Sequence, residues 1–361
     1  MKHAIHANRT RRSKCALLAA VVAGAMILHP VGARAENQSI SLRGNQFFKD
    51  GKPWLPKGIK IEAFNEPAGL RAKSSIASEA RSWWGDQEIN AIKSVFGSSV
   101  VRFAMSQPGL DPKSPIYDPT YRDELLEAFK LARAAGLVVI PSMDAQGENG
   151  IEGLPCMPGD SAVRAWKEIA LSFVNDPGVM FELFDEPCGT TKPEDRAKWA
   201  AGTQAIINAL RQMGAKNILL VDGLHYARSI DGLPGLLHDP FPNRLAMAVH
   251  PYLSKGWFVS EDQWEREFGA EAAKFPVIAS EWNATPKSGC IDATTPAISL
   301  RLIRYLQKKN IGLIGWAIDS HAGKLVQDHT GYKPNNYQRF SGCNDGSDSG
   351  GGELLAKFPN N

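Results

Sequence analysis

Eight short runs of the 361-residue chain, most of them apolar almost without interruption, have amphipathic stretches between them. The runs are Lys57–Glu62, Ser99–Met105, Leu137–Ser142, Val179–Phe184, Asn217–Val221, Leu245–His250, Val277–Glu281 and Gly312–Ala317. A strand wet on one face alternates apolar and polar residues. A strand apolar at nearly every position is covered on both faces, as parallel strands are. Among the intervening segments, Tyr121–Ala135 sets Leu125, Leu126, Phe129 and Leu131 at helical spacing and stops at Gly136. Ser161–Val174, Pro193–Met213, Glu261–Lys274 and Thr295–Lys309 follow the same pattern. Eight strands alternating with helices predict a single (β/α)8 TIM barrel. The rival, an open doubly wound sheet, would carry a Gly-rich phosphate turn after its first strand, and none is present. Ahead of the first run, Asp50-Gly51 is a turn signal within Phe47–Pro53 and predicts a short β-hairpin capping the barrel's bottom.

The domain is expected to occupy residues 36–361, because residues 1–35 read as a signal peptide. Basic residues through Lys14 precede the apolar run Cys15–Leu28, and Ala33-Arg34-Ala35 supplies a small-x-small cleavage site. That run is too short to span a bilayer, which takes about 20 residues. A secreted or periplasmic protein follows, cleaved after Ala35 and in contact with no membrane afterwards. The leader also corrects the charge. The whole chain is formally +3, with 41 Lys and Arg against 38 Asp and Glu. Six of those basic residues and no acid lie in the leader, so the body is mildly acidic, which excludes a general nucleic-acid binder.

In a (β/α)8 barrel, chemistry gathers at the C-terminal ends of the strands. The fourth run closes with Asp185-Glu186-Pro187 and the seventh with Glu281-Trp282-Asn283. One strand-end Glu is ordinarily a salt-bridge or capping residue. Two of them, on strands four and seven, suit glycoside hydrolysis, in which one carboxylic acid protonates the departing oxygen and the other attacks the anomeric carbon.

At this point the chain resembles glycoside hydrolase family 5, the cellulase family of retaining (β/α)8 enzymes. The family's acid/base Glu in Asn-Glu-Pro after strand four matches Glu186, and its nucleophile after strand seven matches Glu281. Its strand-two Arg matches Arg102, its His-x-Tyr after strand six matches His250-Pro251-Tyr252, and its strand-eight Trp matches Trp316. The resemblance implies a monomer acting on a β-linked polysaccharide, most simply as an endo-β-1,4-glucanase, with neither metal nor cofactor. The alternatives are a β-mannanase, another β-glucanase, an exopolysaccharide hydrolase, or a carbohydrate-binding barrel whose catalysis has decayed. In this reading Arg102 and Tyr252 hold Glu281, His250 contacts a sugar hydroxyl or the acid/base, and Trp316 offers its face to a pyranose ring.

Three positions depart from the family pattern. Asp185 stands where the family has Asn, Lys60 where it often has Asn after strand one, and strand three lacks its usual His. An ionised Asp185 beside two catalytic carboxylates needs a cation such as Lys60, or a proton. A second Asn-Glu-Pro, Asn65-Glu66-Pro67, comes too early for strand four and belongs to a loop after strand one. Apart from Cys15 in the leader, the cysteines are Cys156, Cys188, Cys290 and Cys343, which follow strands three, four, seven and eight. Adjacency of loops favours Cys156–Cys188 and Cys290–Cys343. The polar segment from Asp319 to Gly352, with Trp83, Trp84, Trp257 and Trp282, is a candidate for shaping sugar subsites.

Overall fold

Apolar runs that need cover on both faces obtain it by closing on themselves. The computed structural model describes residues 38–70, 80–146, 150–253, 258–283, 295–319, 325–337 and 350–360. The proposed leader, Trp257, Cys290 and Cys343 lie outside them. Three short strands come first: β1 (Ile40–Arg43), β2 (Gln46–Lys49) and β3 (Lys52–Trp54). Eight more form a closed parallel barrel: β4 (Lys57–Ile61), β5 (Val100–Ser106), β6 (Val138–Asp144), β7 (Phe181–Glu182), β8 (Leu219–Asp222), β9 (Leu245–Val249), β10 (Val277–Trp282) and β11 (Gly312–Gly315). Each pairs with the next in sequence, and β11 closes on β4 through Leu313 to Lys57 and Ile314 to Gly58.

The N-terminal element is a three-stranded antiparallel sheet, one strand more than the expected hairpin. Asp50 and Gly51 turn β2 into β3 with φ of 53° and 77°, the double positive φ that a tight hairpin turn requires. The sheet lays Ile40, Leu42, Phe47 and Trp54 against inward-facing barrel residues Val100, Val138, Met180 and Ile218, closing the barrel's lower end. Each large side chain buried there contributes about 1.5–3 kcal/mol of transfer free energy. Outward-facing residues of the same strands, such as Val101, Phe103, Val139 and Phe181, meet the helices in a second, larger core.

The predicted helices form with shifted ends. Pro119–Ala134 is capped by Asp118, whose side chain accepts the Thr120 N–H at 2.8 Å. Asp160–Ile169 gives way to a 3-10 turn over Ala170–Ser172, short of the expected Val174. The helix starting at Glu261 carries a π turn over Glu265–Gly269. A Cβ on Gly269 would fall 1.8 Å from the Tyr305 hydroxyl, so only glycine admits that packing. No helix among the described residues is long and apolar enough to cross a membrane. Cys156 and Cys188 form a disulfide, tying the loop after β6 to the loop after β7.

Candidate active site

Side chains alternate along a strand, so the positions two residues beyond the lower apolar layer also face inward. There the character changes. Lys60 on β4, Arg102 on β5, Ser142 on β6, Glu182 on β7, Asp222 on β8 and His250 just past β9 line the upper barrel, all of them buried. On β10 the pairing advances three residues, Ala279 to Trp282, while β11 advances two, Leu313 to Gly315. This bulge lets consecutive residues Ser280 and Glu281 both reach the mouth, a re-aiming that bulges beside active sites commonly perform.

Arg102 organises the cluster. It is wholly buried, and its guanidinium donates to Glu182, to Asp185, to Glu281 Oε1 at 2.8 Å and to Ser142 Oγ at 2.9 Å. The rigid fork of guanidinium donors lets one cation hold three carboxylates. Burial alone would lower its pKa, but the attraction of Glu182, Asp185 and Glu281 holds it well above the usual value. Lys60 Nζ lies 2.5 Å from Glu281 Oε1 and 2.9 Å from Glu62 Oε1. Asp185 therefore takes its cation from Arg102, where the sequence suggested Lys60, and Lys60 serves Glu281 and Glu62 instead. Burial pushes the Asp185 pKa up, the Arg102 charge opposing it.

The two candidate carboxylates have different surroundings. Glu281 touches both cations and accepts the Tyr252 hydroxyl at 3.0 Å. Burial favours its neutral form, yet Lys60, His250 and Arg102 together hold its pKa well below the usual carboxylate range. Glu186 meets His250, with Nδ1 at 2.7 Å from its Oε1, while His250 Nε2 lies 3.1 Å from Ser280 Oγ. The Glu186 backbone is left-handed, with φ 47°, and its N–H donates to Asp222 Oδ2 at 3.0 Å. One oxygen of Glu186 and one of Glu281 lie within 4.8 Å of each other, and His250 Nδ1 stands between them, 2.7 Å from Glu186 Oε1 and 3.6 Å from Glu281 Oε2.

Trp316 is half-buried past β11, and its indole N–H donates to Glu62 Oε1 at 2.7 Å. A cavity of about 180 Å³ opens beside Glu186, lined by Gln146, Leu154, Cys156, Asp185 and Tyr226. The second Asn-Glu-Pro lies after β4, where Asn65 reaches Glu62 at 3.4 Å and the Glu66 carbonyl accepts from Arg81. Trp282 is fully buried in the outer core, which removes it from the subsite candidates. Trp84 packs edge-on against Phe103, whereas Trp83 stacks on His329 at 3.5 Å between centroids.

Comparison with known proteins decides the family. Residues 61–322 match the model of cellulase, glycosyl hydrolase family 5. The chain belongs to glycosyl hydrolase family 5. It is 23% identical over 251 residues to beta-mannanase/endoglucanase A of Caldicellulosiruptor saccharolyticus, covering 66% of this chain but only 17% of that protein. It is 24% identical over 316 residues to Cellulase CelDZ1 of a Thermoanaerobacterium species, covering 77% of this chain and 74% of that one. In structure it resembles the beta-glucanase SdGluc5_26A of Saccharophagus degradans in complex with cellotetraose, with a TM-score of 0.63, 20% identity, and coverage of 84% and 91%.

The mouth is densely charged, with Lys60, Arg102, Glu62, Glu182, Asp185 and Glu281 in one cluster of ion pairs. At the inward position of β6, Ser142 accepts from Arg102. Asp185 and Lys60, the other two departures, are both absorbed into ion pairs. Sequence reasoning passed over Glu62, Glu182, Asp222 and Ser280, each an inward polar position at or near the end of an apolar run. Glu182, Asp185, Asp222 and His250 bring one ligand atom each within 4.8 Å of one another, a spacing a metal ion could use. Arg102 already bonds two of these carboxylates, so a metal ion there would face a fixed positive charge.

Proposed function

We propose that this family-5 glycosidase is an exported, monomeric retaining enzyme that cleaves β-linked polysaccharide internally, as an endo-β-1,4-glucanase. Glu281 is the nucleophile and Glu186 the acid/base. The observation that carries this reading is the approach of their carboxyl oxygens to within 4.8 Å. Retaining glycosidases hold the two carboxyl groups about 5–5.5 Å apart, whereas inverting ones leave about 6.5–9.5 Å for a water.

Each contact then has a role. Lys60 and Arg102 keep Glu281 ionised for attack on the anomeric carbon, and they stabilise its carboxylate again when the glycosyl-enzyme is released. The Tyr252 hydroxyl stays protonated because burial and the Glu281 charge push its pKa up, so it donates to the nucleophile. Glu186 protonates the leaving oxygen, then takes a proton from the water that attacks the intermediate. His250 meets Glu186 through Nδ1 and the Ser280 hydroxyl through Nε2, and that hydroxyl can donate or accept as Glu186 changes charge. The Trp316 ring offers a flat apolar surface to the sugar. This chemistry requires neither metal nor cofactor.

Glucan is preferred because one relative is named a cellulase and one structural neighbour holds cellotetraose. Mannan is the second reading, favoured by the relative named beta-mannanase/endoglucanase A. Cellulose derivatives, mannan and mixed-linkage glucan, assayed for reducing ends and viscosity, separate these. A fast viscosity drop on the β-1,4-glucan is expected, and binding without turnover on every polymer would leave a decayed barrel. Export is checked by the N-terminus of the protein recovered outside the cytoplasm, expected at Glu36.

A further inference from the structure

Asp222 is a carboxyl group of the mouth that takes part in neither chemical step and pairs with neither Arg102 nor Lys60. It ends β8 and is 1% exposed, with Oδ2 accepting the Glu186 N–H at 3.0 Å. Its Oδ1 and the Oε1 of Glu182 are buried with no hydrogen-bond donor, although the two side chains are within hydrogen-bonding contact. Two ionised carboxylates cannot face each other in a buried site without strong repulsion, and one shared proton removes it. Glu182 already accepts from Arg102 Nε and is held ionised. The proton therefore belongs to Asp222, whose pKa burial, Glu182 and Asp185 push well up. The other charged or titratable groups near it are Arg102 and His250, the latter with Nε2 at 3.8 Å.

We propose that Asp222 is a neutral carboxylic acid that positions the acid/base. Its O–H donates to Glu182, which Arg102 fixes in place, and its carbonyl oxygen holds the Glu186 N–H. Residue 186 is thereby kept in the left-handed backbone that an L-residue adopts at a steric cost, with its carboxyl aimed between His250 and Glu281. The inference rests on the assignment of Glu186 as acid/base. Charge explains the choice of a neutral group: an ionised Asp222 would add a negative charge to a site where Glu182, Asp185 and Glu281 already share Arg102.

An asparagine preserves both hydrogen bonds and an alanine neither, so the two substitutions separate positioning from mere packing. On 4-nitrophenyl cellobioside, whose leaving group needs protonation more, Asp222→Ala should lower kcat about tenfold or more. On dinitrophenyl cellobioside, which departs with little help, the loss should stay within about threefold, and Asp222→Asn should stay within that range on both. Equal losses on the two substrates, or an Asp222→Asn as poor as the alanine, would overturn the proposal. Glu186→Ala run alongside must show the same leaving-group contrast; if it does not, the acid/base assignment is what has failed. Infrared difference spectroscopy of wild type against Asp222→Asn then still decides the proton. A protonated-carboxyl band at neutral pH supports the proposal, and a carboxylate band in its place contradicts it.

Discussion

Two residues along the same strand separate two very different layers of this barrel. Val100 precedes Arg102, Ile140 precedes Ser142, Met180 precedes Glu182, Leu220 precedes Asp222, and Ile314 precedes Trp316. The lower residue of each pair packs with the N-terminal sheet in an apolar core, whereas the upper one joins the polar mouth. The lower layer gains stability simply from burial. The upper layer buries Arg102, Lys60, Glu182, Asp185 and Glu281, whose desolvation is opposed by their mutual attraction. Shared backbone geometry therefore does not imply shared purpose: below, side chains are interchangeable with others of like volume, and above, each is fixed by its partners.

Substitutions placed one per layer can break this contrast, and the largest change in turnover belongs above. Glu281→Gln should cost about 10⁴-fold or more in kcat, read by steady-state hydrolysis, because it removes the proposed nucleophile. Its melting temperature should fall too, since Lys60 and Arg102 lose a carboxylate partner. Tyr252→Phe removes one hydrogen bond to a charged group and should lower kcat about 10- to 100-fold without unfolding the protein.

Lys60→Met acts on pH dependence. With Glu281 as the proposed nucleophile, the acidic limb of kcat/KM should follow its ionisation in the free enzyme, and the Lys60 ammonium depresses that pKa. Without the ammonium the carboxylate holds its proton more tightly, so the limb should move up by about one pH unit. An unmoved limb would mean that Arg102 suffices. In the lower layer, Ile140→Ala should cost about 2–5 kcal/mol in chemical denaturation while leaving kcat within about twofold. A large loss of turnover there would erase the distinction between the layers.

The barrel was legible in the sequence because burial on both faces leaves continuous apolar runs, and that signal survives without any knowledge of neighbours. Glu186 and Glu281 were legible for the opposite reason: an acid directly after such a run has no packing role. Glu182 and Asp222 were not. Their strands are covered on both faces, so local pattern does not say which positions face the barrel interior. The orientation of Glu281 beside Ser280 depends on a bulge that only pairing with β11 reveals. That Arg102 would hold Glu281 was readable, but that it also holds Glu182 and Asp185 was not, because Asp185 lies 83 positions away and no local pattern brings the three acids to one guanidinium. The Cys156–Cys188 bond was readable from loop adjacency and is present, while Cys290 and Cys343 lie outside the described residues.

The central claim is that Glu281 forms the covalent bond to sugar. A fluorinated cellobioside that forms the glycosyl-enzyme readily but releases it slowly, followed by peptide mass spectrometry, tests this directly. The label should sit on Glu281 and vanish in Glu281→Gln. A label on Glu186 or another residue, or turnover that inverts the anomeric centre with nothing trapped, would contradict it.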